Sequence, residues 1–148
     1  MSESYLPAGM PAPVPSADGL DLPYWEGTRK RELMVQRCGD CQNWQWGPEW
    51  ICHNCNSFNM KWEQVDGKGN IYSWERPWHP VHPALKQRGR YTAVLVELPQ
   101  AGNIRMLGNL LGPDDQDVNI GSEVGAVFEP HDDADSVSYT HLTLPTKA

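Results

Sequence analysis

The clearest chemistry in this chain lies in four cysteines. They stand as two pairs, Cys38-Gly39-Asp40-Cys41 and Cys52-His53-Asn54-Cys55, with ten residues between the pairs. A C-x2-C turn directs two thiolates at one ion. Two such turns facing each other give tetrahedral S4 coordination, which zinc accepts without any d-electron preference. Cys38, Cys41, Cys52 and Cys55 leave no open coordination position, so the ion's role is structural, and it substitutes for a core that so small a ribbon cannot build. Zinc is the favoured occupant. An iron–sulfur cluster fits the same spacing, whereas a redox dithiol is disfavoured by two pairs in one short tryptophan-rich hairpin. His53 lies inside the second pair, but four thiolates need no fifth ligand.

The second group is the stretch from Arg76 to Tyr91, RPWHPVHPALKQRGRY. Between Arg76 and Arg105 stand Arg76, Lys86, Arg88, Arg90 and Arg105 against one acid, Glu97. Beyond Arg105 no Lys or Arg recurs until Lys147, while eight acidic residues follow. A locally basic face on an acidic chain suits a compact polyanion better than a long nucleic-acid strand. The indole of Trp78 can cover an aromatic base while Arg88 and Arg90 reach phosphates with paired hydrogen bonds. The plainer alternative is a rigid loop of solvated charges with Trp78 tucked onto the domain. His79 and His82 are three apart, but Pro77, Pro80 and Pro83 preclude the regular helix that would make them a ligand pair. No G-x-S-x-G, H-E-x-x-H or glycine-rich phosphate loop occurs, and the cysteines are committed to a metal, so independent catalysis is not supported.

What must position these groups is a mostly β chain. Residues 1–22, with Pro7, Pro11, Pro13 and Pro15, read as a disordered arm. Asp21 as an N-cap accepting amide hydrogen bonds and Pro23 in the first turn predict a short helix through Lys30. Tyr24 and Trp25 on that helix either pack on their own domain or dock a partner. Leu33 to Arg37 is extended, and with the cysteine pairs it forms a ribbon ending near residue 66. Gly67-Lys68-Gly69-Asn70 reads as a turn opening a second unit over 67–135. Its strands are expected at Ile71–Trp74, Tyr91–Leu98, Ile104–Leu111, Val118–Ile120 and Val124–Phe128. So few short strands indicate a small antiparallel barrel or sandwich, and closure into a barrel resolves their edges.

A net charge of −7 argues against non-specific nucleic-acid or anionic-membrane binding. No apolar run approaches the roughly 18 residues that span a bilayer, and no secretory signal is visible, so a cytoplasmic location is expected. Residues 136–148 are set apart as a tail, because SYTHLTLPTKA looks like a recurrent artefactual terminus of translated sequence fragments.

The order of motifs is itself informative: PYWEG at 23–27, the two cysteine pairs, WEQVDGKGNIYS at 62–73, YTAVLVEL at 91–98, LGNLLG at 107–112 and GAVF at 125–128. It resembles the acyl-CoA-associated family of zinc-ribbon plus OB-fold proteins, formerly domain of unknown function 35. The resemblance covers about residues 22–130. It implies an N-terminal helix, a rubredoxin-like zinc ribbon liganded by Cys38, Cys41, Cys52 and Cys55, and a C-terminal OB-fold barrel. It further implies a non-catalytic or co-catalytic subunit that docks on a thiolase-like, aldolase-like or hotdog-fold hydratase partner and helps bind a coenzyme A thioester. Arg76, Lys86, Arg88 and Arg90 are placed at the CoA phosphates on charge alone, with Trp78 beside them. Two rival functions stay open: single-stranded nucleic-acid binding on the OB-fold, and a pure scaffold. The chain departs from many zinc knuckles in having Gln42 and Asn56, not glycine, after the second cysteine of each pair; Asn56 suits a left-handed turn better than Gln42 does.

Overall fold

The computed structural model describes residues 5, 7–11, 13–130 and 139–143. One helix, α1 (Leu22–Arg29), precedes eight strands: β1 (Leu33–Cys38), β2 (Trp44–Gln45), β3 (Met60–Val65), β4 (Lys68–Glu75), β5 (Ala93–Leu98), β6 (Ile104–Asn109), β7 (Glu123–Glu129) and β8 (Tyr139–Thr143). They form two antiparallel sheets, β2-β1-β3 and β6-β5-β4-β7-β8. The second sheet curls until Cα atoms of its edge strands, β6 and β8, come within 8 Å of each other, giving a half-barrel. The protein is thus mainly β, with one α-helix among the described residues, a cysteine-cluster ribbon and a curled C-terminal sheet. Among the described residues, no helix is long and apolar enough to cross a membrane.

The two sheets share one core. Leu33, Val35 and Val65 of the ribbon cluster with Ile71, Val94, Val96, Leu98, Met106 and Val124 of the half-barrel, and Tyr24, Trp44 and Trp46 pack against them. Burying each large aliphatic contributes about 1.5–3 kcal/mol, so a ribbon too small to stand alone is anchored by the barrel's core as well as by its cysteines. Beside the core, Gln100 Nε2 clasps the sharp connection between β3 and β4. It donates to Asp66 O at 2.9 Å, Asp66 Oδ1 at 2.7 Å and Lys68 O at 2.8 Å.

Several local expectations need correction. Asp21 holds the N-cap position, but its carboxylate does not cap helix amides. It accepts instead from Ser16 N at 2.8 Å and from the Trp25 indole, one turn along, at 2.9 Å. Tyr24 stacks edge-on against Trp25 and lies 5.0 Å from Trp46, so the helix aromatics pack on their own domain. The predicted turn at Gly67–Asn70 is shorter: β4 already begins at Lys68. Gly69 marks close backbone approach rather than reversal, since an added Cβ would lie 2.4 Å from Val96 Cγ1 and 2.8 Å from Glu97 O. Gly69→Ala is therefore expected to lower stability by about 1–3 kcal/mol, read as a falling midpoint of thermal unfolding. An unchanged midpoint would contradict this packing. Val118–Ile120 is not a strand; Val118 is buried, and Ile120 is exposed in a turn whose Gly121 N donates to Ile71 O.

The described part of the N-terminal arm touches the half-barrel. Tyr5 N donates to the Glu129 carboxylate at 3.2 Å, and the Arg88 guanidinium covers the Tyr5 ring at 5.1 Å. At the other end, β8 pairs with β7 from Gly125↔Thr143 to Glu129↔Tyr139, within the stretch the sequence sets apart as a tail. The rest of that stretch, 136–138 and 144–148, lies outside the described residues.

Candidate metal centre and loop cavity

The first knuckle leaves the end of β1 and the second hangs in the connection between β2 and β3. Their turns have the same geometry: Gln42 N donates to Cys38 O at 3.1 Å and Asn56 N to Cys52 O at 3.0 Å. Each turn closes through a left-handed residue, Gln42 at φ 64 and Asn56 at φ 60. Gln42 therefore adopts the conformation for which its side chain is the poorer fit, and its Nε2 is held by Gly39 O at 2.9 Å.

All four sulfurs lie within 4.8 Å of one another, with Cys38 to Cys55 and Cys41 to Cys52 at 3.6 Å. Zinc–sulfur bonds of about 2.3 Å in a tetrahedron imply sulfur–sulfur edges of about 3.8 Å. The donor set and its spacing therefore fit such an ion, and the distances are far too long for disulfides. Cys41 N, Asn54 N and Asn54 Nδ2 direct donors at Cys38, Cys52 and Cys41 sulfurs respectively, the pattern that steadies thiolates. The Asn54 amide, seconded by the Asn43 backbone, pulls the Cys41 thiol down to about 6. Cys55 is pushed up to about 12: the Ser57 amide lowers it, but the Cys41 hydrogen bond, burial and the Cys38 and Cys52 contacts outweigh that effect. Four negative charges cannot share this space without a cation, and a divalent metal held by the four cysteines would replace the retained protons. His53 is exposed and is not part of the cluster.

Two buried glutamines, for which the sequence gives no signal, build the support beneath the second knuckle. Gln36 and Gln45 face each other across β1 and β2. Gln36 donates to Glu49 O at 3.1 Å and accepts from Glu49 N at 3.0 Å. Gln45 donates to Ile51 O at 3.2 Å and accepts from His53 N at 3.0 Å, gripping the backbone on both sides of Cys52. Gln45→Leu removes both part-buried hydrogen bonds, at a cost of about 0.5–1.5 kcal/mol for each. The expected result is a lower unfolding midpoint together with faster metal loss to a chelator. Equal loss rates would remove Gln45 from the site's support.

Around the loop joining β4 to β5, the basic residues divide. Trp78, His79, Lys86 and Arg90 line a cavity of about 290 Å³, with Pro77 and Pro80 stiffening its wall. Arg90 stacks on Trp78 at 4.5 Å, and Trp78 is 79% exposed. Arg76 and Arg88 are turned to protein partners. Arg76 stacks on Trp74 at 5.0 Å, donates to Thr92 Oγ1 at 3.2 Å and also binds the Gln116 carbonyl. Arg88 pairs with Asp114 at 3.5 Å and covers Tyr5. The structure thus gathers Trp78, Lys86 and Arg90 on one cavity and leaves Arg76 and Arg88 to bind the base of the loop and the arm. His82 accepts the Ala84 amide through Nδ1 at 3.2 Å, opening the short turn that carries Lys86.

Comparison with known proteins matches both halves of this architecture. Residues 25–61 match the model described as the ChsH2 rubredoxin-like zinc ribbon domain, and residues 62–129 match the ChsH2 C-terminal OB-fold domain. A probable enoyl-CoA hydratase alpha subunit of Thermomonospora curvata is 31% identical over 112 residues, covering 76% of this chain and 34% of the relative. The 3-oxo-4,17-pregnadiene-20-carboxyl-CoA hydratase alpha subunit of Mycobacterium tuberculosis is 30% identical over 138 residues, covering 84% of this chain and 42% of the relative. The chain therefore spans well under half the length of these curated relatives. Among solved structures, a chain of the Ltp2-ChsH2(DUF35) aldolase superposes with a TM-score of 0.73 at 27% identity, covering 88% of this chain and 98% of that one. A DUF35-family protein of unknown function from Sulfolobus solfataricus superposes at 0.57 with 13% identity over 83% of each chain, a likeness of fold alone. Ribbon, half-barrel and sequence agree, and the chain belongs to the ChsH2-type (DUF35) family of zinc-ribbon plus OB-fold proteins.

Proposed function

We propose that this protein is an accessory subunit of an acyl-CoA enzyme, holding a structural zinc ion in its ribbon and helping to bind the CoA thioester. The observation that carries the reading is the loop cavity, where an exposed indole, a guanidinium stacked on it and a lysine converge. That grouping suits the nucleotide end of CoA: Trp78 offers a face for the adenine, and Arg90 and Lys86 offer cations for its phosphates. The names of the curated relatives, both CoA-hydratase alpha subunits, support the same substrate class. Cys38, Cys41, Cys52 and Cys55 would saturate a zinc ion's coordination, leaving it no Lewis-acid step and a role in fixing the ribbon.

The chemistry then falls to a thiolase-like or hotdog-fold partner. This chain contributes by completing the cavity that orients the thioester and excludes water. The test is reconstitution. The isolated chain will turn over acyl-CoA negligibly, and the partner subunit will gain at least about tenfold in rate when this chain is added, the scale on which positioning acts. Full turnover by this chain alone would overturn the assignment, as would a partner rate that does not respond to it.

A further inference from the structure

A second cavity lies beneath the N-terminal arm, beside the loop cavity and away from the metal centre. The arm reads as disordered in sequence, yet its described part is seated on the β4–β5 loop. The Glu129 carboxylate accepts Tyr5 N through both oxygens at 3.2 Å, and Met10 N donates to Pro7 O at 3.1 Å in a turn. Gly9 lies so close to the loop that an added Cβ would stand 3.8 Å from Ala84 Cβ. Tyr5, Pro7 and Met10 form one wall of a space of about 190 Å³, and Val81 and Leu85 of the loop form the other. One water needs only about 10–15 Å³, so this is room for a ligand and not a packing defect. Its lining has the make-up of a small-molecule site, apolar side chains with a few polar groups among them. The polar groups include Arg88, Tyr91 and, at the end of β6, Asn109. Arg88 is engaged by Asp114 and Tyr5. Among the described residues, neither the Tyr91 hydroxyl nor the Asn109 carboxamide has a hydrogen-bond partner.

Position indicates the ligand. Leu85 and Tyr91 line both this cavity and the one that holds Trp78, Lys86 and Arg90, so the two spaces adjoin across them. In CoA, the segment bonded to the diphosphate is the pantoyl unit of pantetheine: a carbon bearing two methyl groups, then a hydroxyl and an amide. We infer that the arm cavity binds this pantetheine segment, with its methyl groups against Met10, Val81 and Leu85 and its hydroxyl and amide on Tyr91 and Asn109. The acyl group, at the far end of pantetheine from the phosphates, lies beyond the cavity. This rests on the CoA-binding reading above and adds to it the site of the ligand's next segment. It also gives the arm a role, as one wall of that site.

The experiment titrates the full chain calorimetrically with two fragments of CoA: pantetheine, and the adenosine bisphosphate that lacks it. Asn109→Leu keeps nearly the same side-chain size and removes the amide. Met10→Glu sets a carboxylate in the apolar wall from the arm, which lies outside the shared core, so the test survives if Asn109→Leu disturbs folding. Circular dichroism and metal content check both variants. Asn109→Leu should weaken pantetheine about three- to tenfold, the scale of one lost hydrogen bond, and Met10→Glu at least about tenfold through burial of a charge. Both should leave the adenosine bisphosphate unchanged, and Arg90→Ala should do the reverse. If both variants bind pantetheine like the wild type while Arg90→Ala still weakens the adenosine bisphosphate, the arm cavity is not the site and the CoA reading stands. Equal loss of both fragments would mean one undivided site and overturn the proposal. Unchanged pantetheine and CoA with weakened octanoyl-CoA would assign the cavity to an acyl chain and overturn it too. A wild type that binds neither fragment would bring down the CoA-binding reading itself.

Discussion

Serine in place of Cys38 and Cys52 will strip the protein of its metal and unfold the ribbon. Both residues are buried at the centre of the cluster. Structural zinc on such ligands contributes about 10–16 kcal/mol of apparent binding free energy at neutral pH, more than the whole folding free energy of many domains. Because Leu33, Val35 and Val65 lie in the core shared with the half-barrel, the damage should spread past the knuckles. The expected readings are one metal ion per wild-type chain, none in the variant, and loss of the cooperative thermal transition. Zinc without iron or inorganic sulfide in the purified protein separates zinc coordination from an iron–sulfur cluster, and cobalt substitution should give the visible absorption of a tetrahedral tetrathiolate. A double variant that melts like the wild type would show that the ribbon stands on its side-chain packing and that the metal is incidental.

The cluster was legible because coordination imposes spacing: two residues between paired ligands is a constraint of the turn, and it survives in the primary sequence. β5 was legible for a related reason, since Ala93–Leu98 alternates buried and half-buried positions in step with the pleat. Gln36 and Gln45 were not. They lie nine residues apart with no motif around them, and only the pairing of β1 with β2 turns them into one support. The glycines of 67–70 misled for a physical reason, because glycine marks a turn and a close backbone approach equally well, and at Gly69 it marks the second. Among the basic residues, composition showed the cluster but not its division. Arg76 and Arg88 differ from Arg90 in what folds against them, namely Gln116, Asp114 and Tyr5, which come from distant parts of the chain.

That division makes the second large prediction a comparison between arginines. Arg90→Ala should weaken binding of CoA by about 10- to 100-fold, the range of a charge-assisted hydrogen bond of about 1.5–3 kcal/mol. Trp78→Ala should cost about tenfold or more through lost base stacking, worth about 1–3 kcal/mol. Because Arg90 lies on the Trp78 ring, the two losses should not add; removing either disturbs the geometry of the other, and a double-mutant cycle will return a coupling term. Arg88→Ala should leave CoA affinity within about twofold, because its partners are Asp114 and Tyr5, and the exposed part of such a pair is worth less than about 1 kcal/mol. Calorimetric titration with CoA, and with pantetheine as the ligand lacking nucleotide and phosphates, reads all four effects. Pantetheine should bind the wild type and Arg90→Ala equally. If Arg88→Ala and Arg90→Ala weaken CoA alike, the ligand is held by diffuse charge and not by the loop cavity. If neither changes it, the thioester is bound elsewhere and Trp78 is an exposed residue of the stiff loop.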